Sequence, residues 1–257
     1  MTSTPMLSID NLSVSFGGVR ALDSASFHVA EGDTCGLIGP NGAGKTTLFN
    51  CVSRLYTPDT GRISFQETDL LRLAPQDIAI TGIARTFQNL GLVQGLTVLD
   101  NVMLGTHVHT HVGFVRAPFT FPGRRREERA SKDLAMQLLR RLELERYASA
   151  SVRGLPYGTL KRLELARALA AQPTLLMLDE PASGLTHGEV NELIDVIIAL
   201  KYEFQLTVLL VEHHMGMVMR MSDKVVALDQ GQVISQGTAQ QVQEDERVIT
   251  AYLGAPV

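Results

Sequence analysis

Gly39-Pro40-Asn41-Gly42-Ala43-Gly44-Lys45-Thr46 reads G-x-x-x-x-G-K-T, set between the apolar run Cys35-Gly36-Leu37-Ile38 and the helix-like continuation Thr47-Leu48-Phe49-Asn50. Strand, glycine-rich loop and helix in that order form a phosphate-binding loop. The glycines let successive backbone N–H groups curl inward at phosphate oxygens. The helix N-terminus adds partial positive charge to the same spot. Lys45 has the reach for β- and γ-phosphates, the Thr46 hydroxyl is a ligand for Mg²⁺, and Thr47 completes the nucleotide-facing set. A plain glycine turn before a helix would have no use for Lys45-Thr46. The expected ligand is a nucleoside triphosphate with Mg²⁺.

The remaining composition sets bounds. A chain of 257 residues, 45% hydrophobic, suits one α/β domain or one domain with small subdomains. Its formal charge of -4 gives no overall attraction to nucleic acid or anionic lipid. Cys35 and Cys51 are expected to be buried thiols in a reducing compartment, not a disulfide. Met1-Thr2-Ser3-Thr4-Pro5 lacks the basic start and long apolar stretch of a signal peptide. The run at residues 206–211 is far too short to span a bilayer. A cytosolic protein that spans nothing by itself is expected.

Along the chain, residues 7–16 alternate as a half-exposed strand does, with Gly17-Gly18 as a turn. Residues 25–29, 34–38 and 61–65 are also predicted strands. Residues 97–171 are charge-rich and helical in pattern, with a Pro-, Phe- and Gly-rich loop at 116–123. From Thr174 onward β and α alternate again: Leu175-Leu176-Met177-Leu178, a helix through Val190, Leu193, Ile194 and Ile197, then residues 206–211. Such alternation predicts an α/β fold with a mostly parallel sheet covered by helices. Arg124 to Arg129 mixes bases and acids and reads as a solvated helix start. His107, His109 and His111 alternate but lack Cys or carboxylate neighbours, which argues against a metal site.

Leu175-Leu176-Met177-Leu178-Asp179-Glu180 ends a buried strand in two carboxylates, and a strand's C-terminal end is where an α/β sheet meets its phosphates. Asp179 is placed to hold Mg²⁺ through the ion's water shell, and Glu180 to take a proton from attacking water.

Between these motifs lies Leu155-Pro156-Tyr157-Gly158-Thr159-Leu160-Lys161-Arg162-Leu163-Glu164-Leu165-Ala166-Arg167-Ala168-Leu169. It resembles the signature of ATP-binding-cassette proteins, in which a short Ser/Gly-rich turn opens a helix directed at a γ-phosphate. Gly158 remains, but Pro156, Tyr157 and Thr159 stand where that pattern usually has Ser, Gly and Gln. Three further positions fit the resemblance. Gln88 matches the glutamine that touches Mg²⁺ and water and senses the membrane partner. His213 matches the switch histidine at the γ-phosphate, and Phe16 the aromatic that stacks on adenine. Thr186 and His214 depart from the pattern, standing where a carboxylate or Asn, and an Asp, are usual.

The resemblance implies a P-loop NTPase core, an N-terminal antiparallel β subdomain and a helical subdomain inserted in the middle. It divides a single domain at 5–254 into a core at about 5–95 and 172–254 and a helical part at about 96–171. It implies ATP with Mg²⁺, with Glu180, His213 and Gln88 as the catalytic set, Thr46, Gln88 and Asp179 as the metal set, and Tyr157 and Gly158 on a nucleotide held by a second cassette subunit. Gly82-Ile83-Ala84-Arg85-Thr86-Phe87-Gln88-Asn89, Val211-Glu212-His213-His214-Met215 and Ala251-Tyr252-Leu253-Gly254 are similar to the ATPase subunits of branched-chain amino-acid importers. Urea and amide importers in bacteria use similar subunits, and an exporter ATPase or a soluble mechanical cassette are the more distant readings. Implied partners are two membrane-spanning permease subunits, a second ATPase subunit and, indirectly, a periplasmic solute-binding protein, at the cytoplasmic face of the inner membrane, with no nucleic acid. Pro156 offers neither hydroxyl nor N–H, so pairing with a second, different cassette is expected, with a homodimer as the alternative.

Overall fold

Strands with no polar side need a layer on each face, and the middle of this chain's sheet is built that way. The computed structural model describes residues 5–87, 89–109 and 122–253. In chain order the elements are β1 (Pro5–Phe16), β2 (Val19–Ala30), β3 (Thr34–Ile38), α1 (Lys45–Val52), β4 (Thr60–Phe65), β5 (Thr68–Asp69) and β6 (Ile83–Arg85). There follow α2 (Val98–Thr106), α3 (Pro122–Arg141), α4 (Tyr157–Ala170), β7 (Leu175–Asp179), α5 (His187–Phe204) and β8 (Thr207–Val211). The chain closes with α6 (Met215–Met221), β9 (Lys224–Asp229), β10 (Gln232–Gly237), α7 (Ala239–Gln243) and α8 (Glu246–Leu253).

One sheet runs β10-β9-β3-β8-β7-β6; all its pairs are parallel except the terminal hairpin β9-β10. The other, β2-β1-β4-β5, is antiparallel. Every residue of β3, β7 and β8 is buried. Their side chains alternate between two cores, as a period of two requires. Cys35, Leu37, Leu175, Met177, Leu209 and Val211 face α1 and the antiparallel sheet. Leu176, Leu178, Val208 and Leu210 face the helices α2 to α5. Leu48 and Phe49 of α1 are fully buried in the first core, each stabilising it by about 1.5–3 kcal/mol.

The helices start where the sequence supplies caps. Thr97, Thr186 and Thr238 each close a capping box, with Asp100, Glu189 and Gln241. Val190, Leu193, Ile194, Ile197 and Leu200 form the buried stripe of α5. Both cysteines are free and buried, and burial pushes the Cys35 thiol up to about 12 and the Cys51 thiol up to about 11.

Some boundaries shift from those the sequence predicts. The second strand is longer, Val19–Ala30, because it pairs with β1 along nearly its whole length. β6, β9 and β10 are absent from the sequence reading; β6 has three residues, and β10 is a half-buried edge strand with little apolar signal. α3 begins at Pro122, inside the expected loop, because proline suits a first helical turn. Residues 116–121 of that loop lie outside the described residues.

Candidate nucleotide site

The loop at 39–46 leaves the C-terminal end of β3, in the middle of the parallel sheet. Gly44 (φ +102) caps α1 without a side-chain hydrogen bond, so the amides of the first turn stay available to an anion. A Cβ at Gly44 would sit 2.5 Å from the Ala21 carbonyl oxygen; only glycine lets β2 come this close. The Ala43 carbonyl accepts the Gly231 N–H at 3.1 Å, and the Gly231 carbonyl accepts the Asp23 N–H at 2.9 Å. Lys45 donates from Nζ to the carbonyls of Gly39 (2.6 Å) and Pro40 (2.9 Å). Burial lowers its pKa, and the Glu180 carboxylate works the other way.

β7 and β8 pair in parallel with Asp179 opposite Val211. The residues just past both strand ends therefore meet at one edge. Glu180 Oε1 lies 3.0 Å from His213 Nε2. Glu180 has φ +48, and its N–H donates to the Val211 carbonyl at 2.9 Å, which holds a backbone conformation costing a non-glycine residue about 1–2 kcal/mol. Ala21, residues 41–47, Glu180 and His213 line one cleft of about 170 Å³. Asp179 is buried behind it.

Three further residues of this region have roles that no sequence motif announces. Arg85 pairs with Asp179 Oδ2 at 2.7 Å and donates to Asn50 Oδ1 at 2.8 Å. Its guanidinium lies 5.4 Å from the centroids of both the Phe49 and the Phe87 rings. An arginine closing the apolar strand Ile83-Ala84-Arg85 was the available signal: a buried charge needs a partner. Glu212, buried, accepts the N–H groups of Ala182 (2.8 Å), His213 (2.7 Å) and His214 (2.8 Å). It fixes the turn after Glu180 and the turn carrying His213 to one carboxylate. Glu164, also buried, reaches from α4 to accept the Phe87 N–H at 2.6 Å. Burial raises its pKa to about 7 against the pull of that hydrogen bond, Lys161 and Arg167. Arg167 binds the carbonyls of Leu90 and Gly91. Gln88 lies outside the described residues; its neighbour Thr86 accepts the Asp179 N–H at 3.2 Å.

The signature turn is less equipped. Pro156 caps α4 with φ -54 and no side-chain hydrogen bond. The Tyr157 ring rests against Gly184 of the same chain, and Lys161 Nζ lies 5.6 Å from its centroid. A Cβ at Gly158 would come 3.3 Å from Glu189 Oε1. Phe16 is exposed at the end of β1, edge-on to Tyr56 at 5.1 Å, and is not a core aromatic. Thr186 caps α5, and His214 caps α6 through Nδ1, which accepts the Met217 N–H at 3.2 Å. Both departures from the family pattern therefore keep a capping role. Among the described residues no group of three or more His, Cys, Asp or Glu could hold a metal ion; His111 lies outside them. For Mg²⁺ the chain offers the hard oxygens of Thr46 and Asp179, the donor type that ion takes.

A family model described as "ABC transporter" matches residues 22–183, and one described as "Branched-chain amino acid ATP-binding cassette transporter" matches residues 232–257. The high-affinity branched-chain amino acid transport ATP-binding protein BraF of Pseudomonas aeruginosa is 39% identical over 98% of this chain and 99% of its own length. The corresponding protein LivG of Escherichia coli K12 is 38% identical over the same shares. A nucleotide-free ATP-binding cassette from an ABC transporter superposes with a TM-score of 0.83 at 29% identity, covering 98% of this chain and 100% of that one. The ADP conformation of an ATP-binding cassette gives 0.82 at 27% identity with the same coverage.

Proposed function

We propose that this chain, which belongs to the ABC transporter family, is the ATP-hydrolysing subunit of an importer for branched-chain or related hydrophobic amino acids. The cassette binds ATP, and hydrolysis powers transport. One observation carries the site assignment: Lys45 and the loop amides share a cleft with Glu180 and His213.

In this reading residues 39–47 cradle the phosphates and Lys45 leaves its carbonyl partners for the β/γ-phosphate oxygens. Glu180 accepts the proton of the attacking water, and His213, 3.0 Å from it, faces the γ-phosphate. Thr46, Asp179 and Gln88 would hold Mg²⁺, whose charge offsets that of the transferring phosphoryl oxygens. Arg85 keeps the Asp179 carboxylate in place from behind. Phe16 stacks on adenine, and Tyr157 and Gly158 face the nucleotide of a second cassette.

No helix among the described residues is long and apolar enough to cross a membrane. The chain associates peripherally with a membrane through permease partners. We assign it to the cytoplasmic face of the inner membrane, with two permease subunits, a second and different ATPase subunit, and a periplasmic binding protein acting indirectly. Residues 5–254 form one cassette domain in this reading, with 96–171 as its helical part.

Lys45→Ala tests the site by calorimetry. Losing the charged contacts should weaken ATP binding about 100-fold. Unchanged affinity would move the nucleotide away from this loop.

A further inference from the structure

The phosphate-binding loop is touched from outside by the last described helix. The Asp245 side chain accepts the Arg247 N–H at 2.9 Å, and its carbonyl accepts the N–H groups of Val248 and Ile249, which starts α8. Val248 and Tyr252, four residues apart, lie on one face of that helix. Val248 is buried in a small apolar cluster with Ile38, Val225 and Ala227, and Ile38 is the residue immediately before the loop. One turn further on, the Tyr252 hydroxyl accepts the Gly39 N–H at 2.8 Å.

Gly39 is therefore held at both polar ends. Its N–H goes to Tyr252 and its carbonyl to Lys45 Nζ. It has no slack sideways either: φ is +148, and a Cβ would collide with the Leu228 carbonyl oxygen. Without the phenol, this part-buried N–H would be a donor in want of a partner. Burial raises the Tyr252 pKa, so the phenol is neutral and its oxygen acts as the acceptor.

We propose that Tyr252 is a positioning residue for the phosphate-binding loop, and that α8 is a brace whose docking and ATP binding stabilise each other. The inference rests on residues 39–46 being the ATP site. It gives a task to Tyr252 of the C-terminal motif Ala251-Tyr252-Leu253-Gly254. The tail sets the first bend of the loop, the bend sets where Lys45 and the loop amides stand, and linkage makes the effect reciprocal.

Tyr252→Phe removes the hydroxyl and keeps the ring. Hydrogen exchange without nucleotide should show faster exchange at the Gly39 amide in the variant. Its ATP dissociation constant should rise roughly 2–10-fold, the range of one hydrogen bond, with turnover at saturating ATP unchanged. In the unsubstituted chain, ATP should slow exchange across residues 246–253. Val248→Ala, which loosens the helix and leaves the hydroxyl, should move affinity and Gly39 exchange in the same direction. Wild-type exchange at Gly39 in Tyr252→Phe overturns the brace even if ATP binds normally. Lower thermal stability with unchanged ATP affinity overturns the positioning role. No ATP binding by the unsubstituted chain overturns the loop assignment and the brace with it.

Discussion

Around the phosphate-binding loop Lys45, Asp179 and Glu180 each have a partner within 3.0 Å, namely the Gly39 and Pro40 carbonyls, Arg85 and His213. The turn at Pro156, which the family resemblance sets against a second subunit's nucleotide, offers no side-chain cap and no N–H at its first position. One half of the chain thus has each of these charged groups partnered before any ligand arrives. The other half presents a helix start and a glycine. The difference teaches that strand register, which brings Glu180 beside His213, assembles the half proposed to act on the chain's own nucleotide more fully than a helix start alone can. The signature half gains its position from attachments to the first half: Glu164 on the Phe87 N–H and Arg167 on Leu90 and Gly91.

Removing Glu180, the proposed base, should damage the first half most. Glu180→Gln should bind ATP as before and turn over about 10²–10⁴-fold more slowly, accumulating as an ATP-bound dimer. Near-normal turnover in the assembled transporter would shift the base to another group.

The join between the halves is next in size. Glu164 has its folded pKa raised to about 7 by burial, against an ordinary value of 4.5. The folded chain therefore holds a proton there that the unfolded chain has released, and Glu164's contribution to stability falls as pH rises from 4.5 through 7. Glu164→Gln keeps an oxygen for the Phe87 N–H and cannot titrate. Urea unfolding at several pH values should show the variant gaining on the parent by on the order of 3 kcal/mol across that window. A constant difference at every pH would mean that Glu164 does not titrate there.

The smallest effect concerns the weaker half itself. Pro156→Ser restores a hydroxyl and an N–H at the turn, and should tighten ATP-dependent pairing with a second cassette roughly 2–10-fold. Sedimentation of the mixed cassettes with ATP checks this. No change would show that the turn's missing donors are not what separates the halves.

The phosphate loop, the strand ending in Asp179-Glu180 and the stripe of α5 were legible because each is a local pattern with one physical solution. β10 was missed because a half-buried edge strand lacks a strong period, and β9 because its buried apolar stretch is only four residues long. Arg85, Glu212 and Glu164 were missed as site residues for another reason. Each has a partner far off in sequence, 94, 30 and 77 residues away, so spacing shows only a charge in an apolar setting. Thr186 and His214 looked like losses when compared with the family pattern. In three dimensions each caps a helix, a task several residue types can do.

The contact among Ala43, Gly231 and Asp23 has a mechanical consequence. Backbone hydrogen bonds run from the loop through the β9-β10 turn to β2, so a shift of the hairpin is passed to the loop and to β2 through backbone groups. The helices α2 to α4 are held differently, by the apolar core they share with β7 and β8 and by α4 side chains on Phe87, Leu90 and Gly91. Long side chains pivot more easily than backbone ladders stretch. A load on the segment around Phe87 is therefore taken up by side-chain contacts before the backbone run at the loop yields.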